Sequence, residues 1–229
     1  MGMASELMDR SAGEQQQVRL EEKLFAALFD GCPQERVKAG HHLFMQDDEA
    51  DRVYGVIDGT IEIAIYSEGG RKLVANIETE KSLIGEIGAL DGGLRTATAT
   101  CLTEATLVSV SRRQLFDRIE AHPRLASAMI GVLCARLRWV SAELGDQALL
   151  KIEARLAKRL LLLCELIQDE TGWIGISQSE LAEFLGATRE SINKTLTDWR
   201  RLGVIEIRRG GLKVVNHAVL EKLGSAPDG

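Results

Sequence analysis

Two groups of residues in this 229-residue sequence have types and spacings suited to chemistry. The first is Ile84-Gly85-Glu86-Ile87-Gly88-Ala89-Leu90, followed by Leu94-Arg95-Thr96-Ala97. Gly85 lets a backbone approach a bound group closely, and Glu86 to Leu90 can form one helical turn whose unpaired N–H groups point at an anion. Arg95 returns nine residues after Glu86 with a fixed charge able to grip that anion through two donors, while Glu86 can accept from a sugar hydroxyl. Phosphate, ribose and a barrel interior are the parts of a nucleotide pocket. Taken alone, the same residues would equally make an ion pair that braces a loop.

The second group runs from Ser177 to Leu196. Ser177 with Glu180 is a capping box, Leu181, Ala182 and Leu185 form a buried stripe, and Gly186 permits a tight turn. A second helix then starts near Thr188 with Ile192, Leu196 and Trp199 inward, leaving Arg189, Glu190, Asn193 and Lys194 on the outer face. That is the face a recognition helix lays in a major groove, where Arg189 can read guanine and Glu190 can accept from cytosine. Val204 to Ile207 and Leu212 to Val215, joined through Arg208-Arg209-Gly210-Gly211, predict a hairpin that completes a winged helix. Thr188 to Lys213 holds seven Lys or Arg (Arg189, Lys194, Arg200, Arg201, Arg208, Arg209, Lys213) against three acids, inside a chain of net charge −6. A basic stripe on an acidic protein suits phosphates, which Arg200, Arg201, Arg208 and Arg209 are placed to meet.

The elements around these groups fall into two parts. Leu20 to Phe29 has the spacing of a short helix, and Val37–Phe44, Arg52–Ile57, Gly59–Tyr66, Lys72–Ile77, Thr96–Thr103 and Thr106–Val110 read as strands of a barrel or jelly roll. Ser111 to Glu120 and Pro123 to Glu165 are helical, the latter with an apolar seam of Leu125, Met129, Val132, Ala135, Trp139 and Ala142. A helix from Arg124 to Leu150 is too long for one small barrel to cover, so its seam is expected to meet a second copy of the chain. Leu149 to Ile152 is the expected hinge, and Glu153 to Ile167 the first helix of the DNA-binding part.

Other function classes find little support. Cys32, Cys101, Cys134 and Cys164 are scattered singly, and His41 and His42, adjacent in an expected strand, point to opposite faces. No metal site, catalytic triad or carboxylate pair stands out. No apolar run is expected to reach membrane length and no secretory segment opens the chain, which predicts a cytoplasmic protein.

In combination, Gly85-Glu86 with Arg95-Thr96 and Thr188-Arg189-Glu190 with Lys194 resemble the motifs of the cyclic AMP receptor protein and fumarate and nitrate reduction regulator family, over about Leu20 to Leu223. The resemblance implies an α+β chain, not an enzyme: a flexible tail over 1–19, a jelly-roll cyclic-nucleotide-binding domain over 20–121, a dimerisation helix over 122–150 and a winged helix-turn-helix over 151–229. It implies cyclic AMP, with cyclic GMP as a second candidate, as allosteric ligand. Glu86 would hold the ribose 2′-hydroxyl, Arg95 and the Gly85–Ile87 backbone the cyclic phosphate, Thr96 phosphate or base, and Ser141 the purine. Ala142 stands where the cyclic AMP receptor protein has a serine that reaches the partner's base. Thr188, Arg189, Glu190, Asn193, Lys194, Arg200, Arg208 and Arg209 would meet double-stranded DNA at inverted TGTGA-like half-sites. Further partners implied are a second copy of the chain and RNA polymerase, for which the loop from Gln168 to Gly172 is the candidate surface. Iron–sulfur sensing would need more N-terminal cysteines than Cys32, and none of His41, His42 and His122 is marked as a haem ligand. A nucleotide-independent, haem- or redox-sensing regulator of the same family is the alternative reading.

Overall fold

The computed structural model describes residues 19–225, so the expected tail over 1–19 lies, but for Arg19, outside the described residues. The chain divides into two compact units that meet between Arg138 and Trp139. The first unit holds helix α1 (Glu22–Phe29), strands β1 (Glu35–Val37), β2 (His42–Phe44), β3 (Arg52–Asp58), β4 (Ile61–Tyr66), β5 (Lys72–Glu78) and β6 (Leu83–Ile84), the short helix α2 (Glu86–Asp91), strands β7 (Thr98–Cys101) and β8 (Ala105–Ser111), helix α3 (Arg112–Ala121) and the start of α4 (Arg124–Leu149). The strands form two antiparallel four-stranded sheets, ordered β1-β8-β3-β6 and β2-β7-β4-β5.

Period-two alternation sorts the strand residues between two cores. Val37, Val56, Ile61, Ile84, Ala99, Cys101 and Leu107 fill one apolar cluster. Val53, Val108 and Val110, on the opposite face of their strands, join Phe25, Leu28 and Phe29 of α1, Leu115 of α3 and Leu125, Met129 and Val132 of α4 in another. Gly55 of β3 is glycine because a Cβ there would run into the rings of Phe25 and Phe29.

Several expectations need correction. The single strand over Val37–Phe44 is two strands: β1 pairs with β8 and β2 with β7, and the chain changes sheet through Gly40 at φ +81°. His41 therefore sits in the connecting turn, not in a strand beside His42. Strands β6 and β9 (Trp173–Ile174) carried no sequence signal, since two residues cannot show a period. The seam assigned to a second copy is in its first half the inner face of α4: Leu125, Met129 and Val132 are buried in the unit's own core. The apolar side chains that α4 exposes are Ile130, Leu137, Val140 and Leu144, at 61, 67, 51 and 67% of their full surface. With that exposed stripe, α4 holds an 18-residue stretch of mean hydropathy 1.3, long and apolar enough to cross a membrane by length and composition only. The expectation that no segment reaches this length does not hold.

In the second unit, α4 ends at Leu149 and α5 (Ile152–Ile167) begins two residues after Leu150, within the expected hinge. Arg159 of α5 is 8% exposed, pairs with Glu143 of α4, and lies over the rings of Phe184 (4.7 Å) and Trp139 (5.9 Å). Lys158 adds a 2.7 Å pair to Asp146, so the end of α4 is fastened to α5. Helix α6 (Gln178–Leu185) carries the complete capping box: the Glu180 amide donates to Ser177 Oγ (3.2 Å) and the Ser177 amide to Glu180 Oε2 (2.7 Å). Gly186, at φ +62°, turns the chain into α7 (Arg189–Arg201), whose N-cap Thr188 accepts from the Ser191 amide. Strands β10 (Ile205–Arg208) and β11 (Gly211–Val214) form the hairpin, joined to β9, and α8 (His217–Gly224) closes the unit. The connection is two residues shorter than expected, and the turn is not the Gly-Gly pair: Arg208 pairs with Gly211, leaving a two-residue turn of Arg209 and Gly210.

Candidate functional site

The first unit gathers the expected ligand residues around α2. Gly85 caps the helix at φ +79°, where a side chain would be strained and its Cβ would collide with Arg95 Nη1. That nitrogen donates instead to the Gly85 carbonyl at 2.8 Å, and Nη2 donates to the Arg52 carbonyl at 2.9 Å. The guanidinium lies 4.1 Å over the Phe44 ring, with Asp51 Oδ1 3.7 Å away. Arg95 is 3% exposed, and its Nε is buried without a hydrogen-bond partner among the described residues. Burial pulls its pKa down, against the charges of Tyr54, Asp51, Asp48 and Glu86.

Glu86 is 1% exposed. Its Oε1 is 2.8 Å from Arg136 Nη1, an ion-pair distance without hydrogen-bond geometry, and neither carboxylate oxygen has a hydrogen-bond partner among the described residues. Arg136 also donates through Nη2 to Glu78 Oε1 (2.9 Å) and to the Leu83 carbonyl (2.7 Å), while Asn76 Nδ2 reaches the same Glu78 oxygen at 2.9 Å. Burial opposes the Arg136 charge, but Glu86 and Glu78 outweigh it and raise its pKa. Burial likewise pushes the Glu86 carboxyl above its ordinary 4.5, although Arg136 opposes the shift.

That shift fixes a pH dependence. The folded state holds a proton on Glu86 more tightly than the unfolded chain does, so stability falls as pH rises from below 4.5 through the raised value. Glu86→Gln removes this loss. Thermal unfolding measured without nucleotide should show the variant gaining on the wild type as pH rises from 4.5 toward neutrality; a difference independent of pH would contradict the assignment.

Ile87 is half-buried on α2 and Thr96 is exposed just after Arg95. Ser141 is exposed on α4, beyond Trp139, and falls in the second unit. Sequence reasoning missed Phe44, Arg52, Glu78 and Arg136. The signal for Arg136 was present: it continues the buried α4 stripe of Met129 and Val132 with a charge, which needs an internal partner.

The second unit presents Thr188, Arg189, Glu190 and Lys194 exposed at the start of α7, with Ile192, Thr195, Leu196 and Trp199 buried behind them. Asn193 is half-buried, its Oδ1 enclosed without a partner among the described residues. Arg200 and Arg209 are exposed. Arg208 ends strand β10 instead of lying in the turn; it stacks 4.2 Å over Trp173 and sits 3.9 Å from Asp169 Oδ2, so part of its role is to brace the hairpin. Asp169 in turn orders the loop before β9, accepting from the Thr171 and Trp173 amides and the Thr171 hydroxyl.

Residues 34–122 match the cyclic nucleotide-binding domain family, and residues 154–223 the Crp-like helix-turn-helix domain family. The chain is 32% identical over 173 residues to the CRP-like cAMP-activated global transcriptional regulator of Mycobacterium tuberculosis, covering 73% of this chain and 77% of that one. It is 28% identical over 184 residues to the cyclic AMP receptor protein of Thermus thermophilus, covering 80% and 84%. Among solved structures, the c-di-GMP responsive global regulator CLP of Xanthomonas campestris shares the fold, with a TM-score of 0.75 at 21% identity over 85% of this chain and 99% of that one. A nucleotide-binding β domain joined to a winged helix-turn-helix defines a DNA-binding transcriptional regulator, not an enzyme. The chain belongs to the CRP/FNR family.

Proposed function

We propose that the protein is a homodimeric regulator whose β domain binds cyclic AMP, with weak discrimination against cyclic GMP, and whose paired recognition helices read inverted TGTGA-like half-sites. The observation that carries the ligand reading is a pair of buried polar atoms around α2 without a partner among the described residues, Arg95 Nε and Glu86 Oε2, beside Glu86 Oε1, which has the Arg136 charge at 2.8 Å but no hydrogen bond. An unpaired buried polar group costs about 1–3 kcal/mol, and a cyclic phosphate on Nε with a ribose 2′-hydroxyl on Glu86 would meet these demands. A mere brace for the loop would leave them unmet. The Mycobacterium relative is described as cAMP-activated, which favours cyclic AMP as the first ligand to test. Titration calorimetry of the full chain against cyclic AMP and cyclic GMP decides the point, and heat from neither would end this reading.

The stripe of Ile130, Leu137, Val140 and Leu144 supports a dimer, because its spacing of seven, three and four is that of a helix seam meeting a copy of itself. Two-fold pairing of α7 would place the helices about one DNA turn, roughly 34 Å, apart. We place RNA polymerase against the loop from Gln168 to Gly172, and the protein in the cytoplasm where these partners are.

On DNA, Arg189 is the proposed guanine reader, with Glu190 on the paired cytosine, Lys194 on a neighbouring base or phosphate, and Thr188 and Asn193 flanking them. Arg200, Arg208 and Arg209 would take phosphates. Arg189→Ala should cost about 1–3 kcal/mol on the preferred duplex and relax selection at one base pair, whereas Arg209→Ala should weaken all duplexes alike and reduce the salt slope by about one. Selection from random duplexes checks both, and identical recovered sites with the Arg189 variant would remove Arg189 from base reading.

A further inference from the structure

Glu78 is buried to 2% exposure, takes no part in the ligand contacts proposed above, and is the second carboxylate on a single guanidinium. Its Oε1 accepts from both Arg136 Nη2 and Asn76 Nδ2, while its Oε2 has no partner among the described residues. Two buried carboxylates sharing one cation is costly unless the arrangement serves a purpose.

The geometry points to that purpose: we infer that Glu78 is a positioning residue that holds the Arg136 guanidinium turned away from Glu86, keeping the Glu86 oxygens available to a hydroxyl of the ligand. This rests on the cyclic-nucleotide reading. The argument is one of donor counting. Arginine and carboxylate prefer a two-pronged pairing in which two parallel N–H groups satisfy both oxygens. Arg136 cannot offer that to Glu86, because Nη2 is committed to Glu78 Oε1 and the Leu83 carbonyl. Only Nη1 approaches, and it lacks hydrogen-bond geometry. Glu86 therefore keeps a compensating charge nearby without spending its acceptors on it. Without Glu78, the guanidinium is free to swing into the two-pronged pair and compete with the ligand hydroxyl for Glu86. The Leu83 carbonyl alone is a weaker restraint than a carboxylate.

The charged or titratable groups acting on Glu86 are Arg136 from α4, Glu78 from β5 and Arg95 from the loop after α2. Glu78 raises the Glu86 pKa. Replacing it by a neutral side chain lowers that pKa, so the loss of nucleotide affinity on acidification should move to lower pH.

The test measures binding of cyclic AMP and 2′-deoxy cyclic AMP to full-length wild type, E78L and E78Q by calorimetry, with thermal unfolding of each variant as the check on folding. Wild type should prefer the ribose ligand by about tenfold or more, the worth of a hydrogen bond to a charged acceptor. In E78L the cyclic AMP affinity should fall nearly to that of the deoxy ligand, whose own affinity changes little, so that the ratio collapses. E78Q keeps an oxygen for Arg136 Nη2 and should retain most of the discrimination, with its acid limb displaced to lower pH. Equal losses for both ligands in E78L, an unchanged ratio, or an E78Q as damaged as E78L would each overturn the inference while leaving the cyclic-nucleotide reading standing. Wild type that binds neither ligand defeats that reading, and this inference with it.

Discussion

Leu144→Asp should sediment as a monomer, and its affinity for an inverted-repeat duplex should fall about a hundredfold or more, the scale on which two tethered half-site contacts exceed one. The reason lies in which face of α4 is spoken for. Leu125, Met129 and Val132 already belong to the core of the first unit, so they have nothing left to offer a partner. Leu144 is 67% exposed, two heptads beyond Ile130 and one beyond Leu137. A carboxylate placed in the middle of a dry helix seam must either be desolvated without a partner or keep the seam open. Because Leu144 is exposed within the chain, the substitution should leave the unfolding temperature of dilute protein far less affected than the association. Ile130→Asp should behave alike. A Leu144→Asp protein that remains dimeric at micromolar concentration would show that the copies meet elsewhere.

Arg95→Leu should abolish measurable nucleotide binding and also destabilise the first unit, by about 1–3 kcal/mol. The carbonyls of Gly85 and Arg52, both half-buried residues, each lose the Arg95 donor in the variant, at about 1–2 kcal/mol apiece, partly offset because a desolvated cation is also removed. The sequence offered ligand binding or a loop brace as alternatives for Arg95; in the structure the side chain does hold the Gly85 and Arg52 backbones together. Arg95→Lys should restore neither property fully, since one ammonium cannot span two carbonyls and lie flat on the Phe44 ring. Calorimetry with cyclic AMP, beside thermal unfolding, reads the two effects separately. Nucleotide affinity retained in Arg95→Leu would take the phosphate away from this site.

The DNA-binding unit was legible in the sequence because its signals are local. A capping box, a glycine in the left-handed region, an N-cap threonine and a two-residue hairpin turn each act within a few residues, and Ser177, Gly186, Thr188 and Gly210 stand where those rules place them. The β domain was legible only in part, since its pairings join distant residues. Nothing near Val37 announces that β1 belongs to β8, or that two residues at Leu83 and Ile84 complete a sheet. The candidate ligand site divides the same way. Gly85, Glu86 and Arg95 form a compact motif, whereas Arg136 arrives from a helix 50 residues after Glu86, and Glu78 is visible as a partner only once Arg136 is in place. The helix seam was legible in part for another reason: the periodicity along α4 was real, but a period alone does not say which stretch of an apolar face meets its own domain and which a neighbour.

The close approach of Gly85 to Arg95 makes these positions inseparable in any exploration of sequence. The volume that a methyl group at residue 85 would need is the volume the guanidinium fills. A change at either position therefore alters what the other can tolerate: with the long Arg95 side chain gone, part of the penalty for a larger residue at 85 disappears, while the left-handed backbone at φ +79° and the Phe44 ring, 3.1 Å from where a Cβ would sit, still resist it. Losses at the two sites do not add, so drift at one is channelled by the state of the other. Variation reaches this corner of the pocket through paired replacements or not at all.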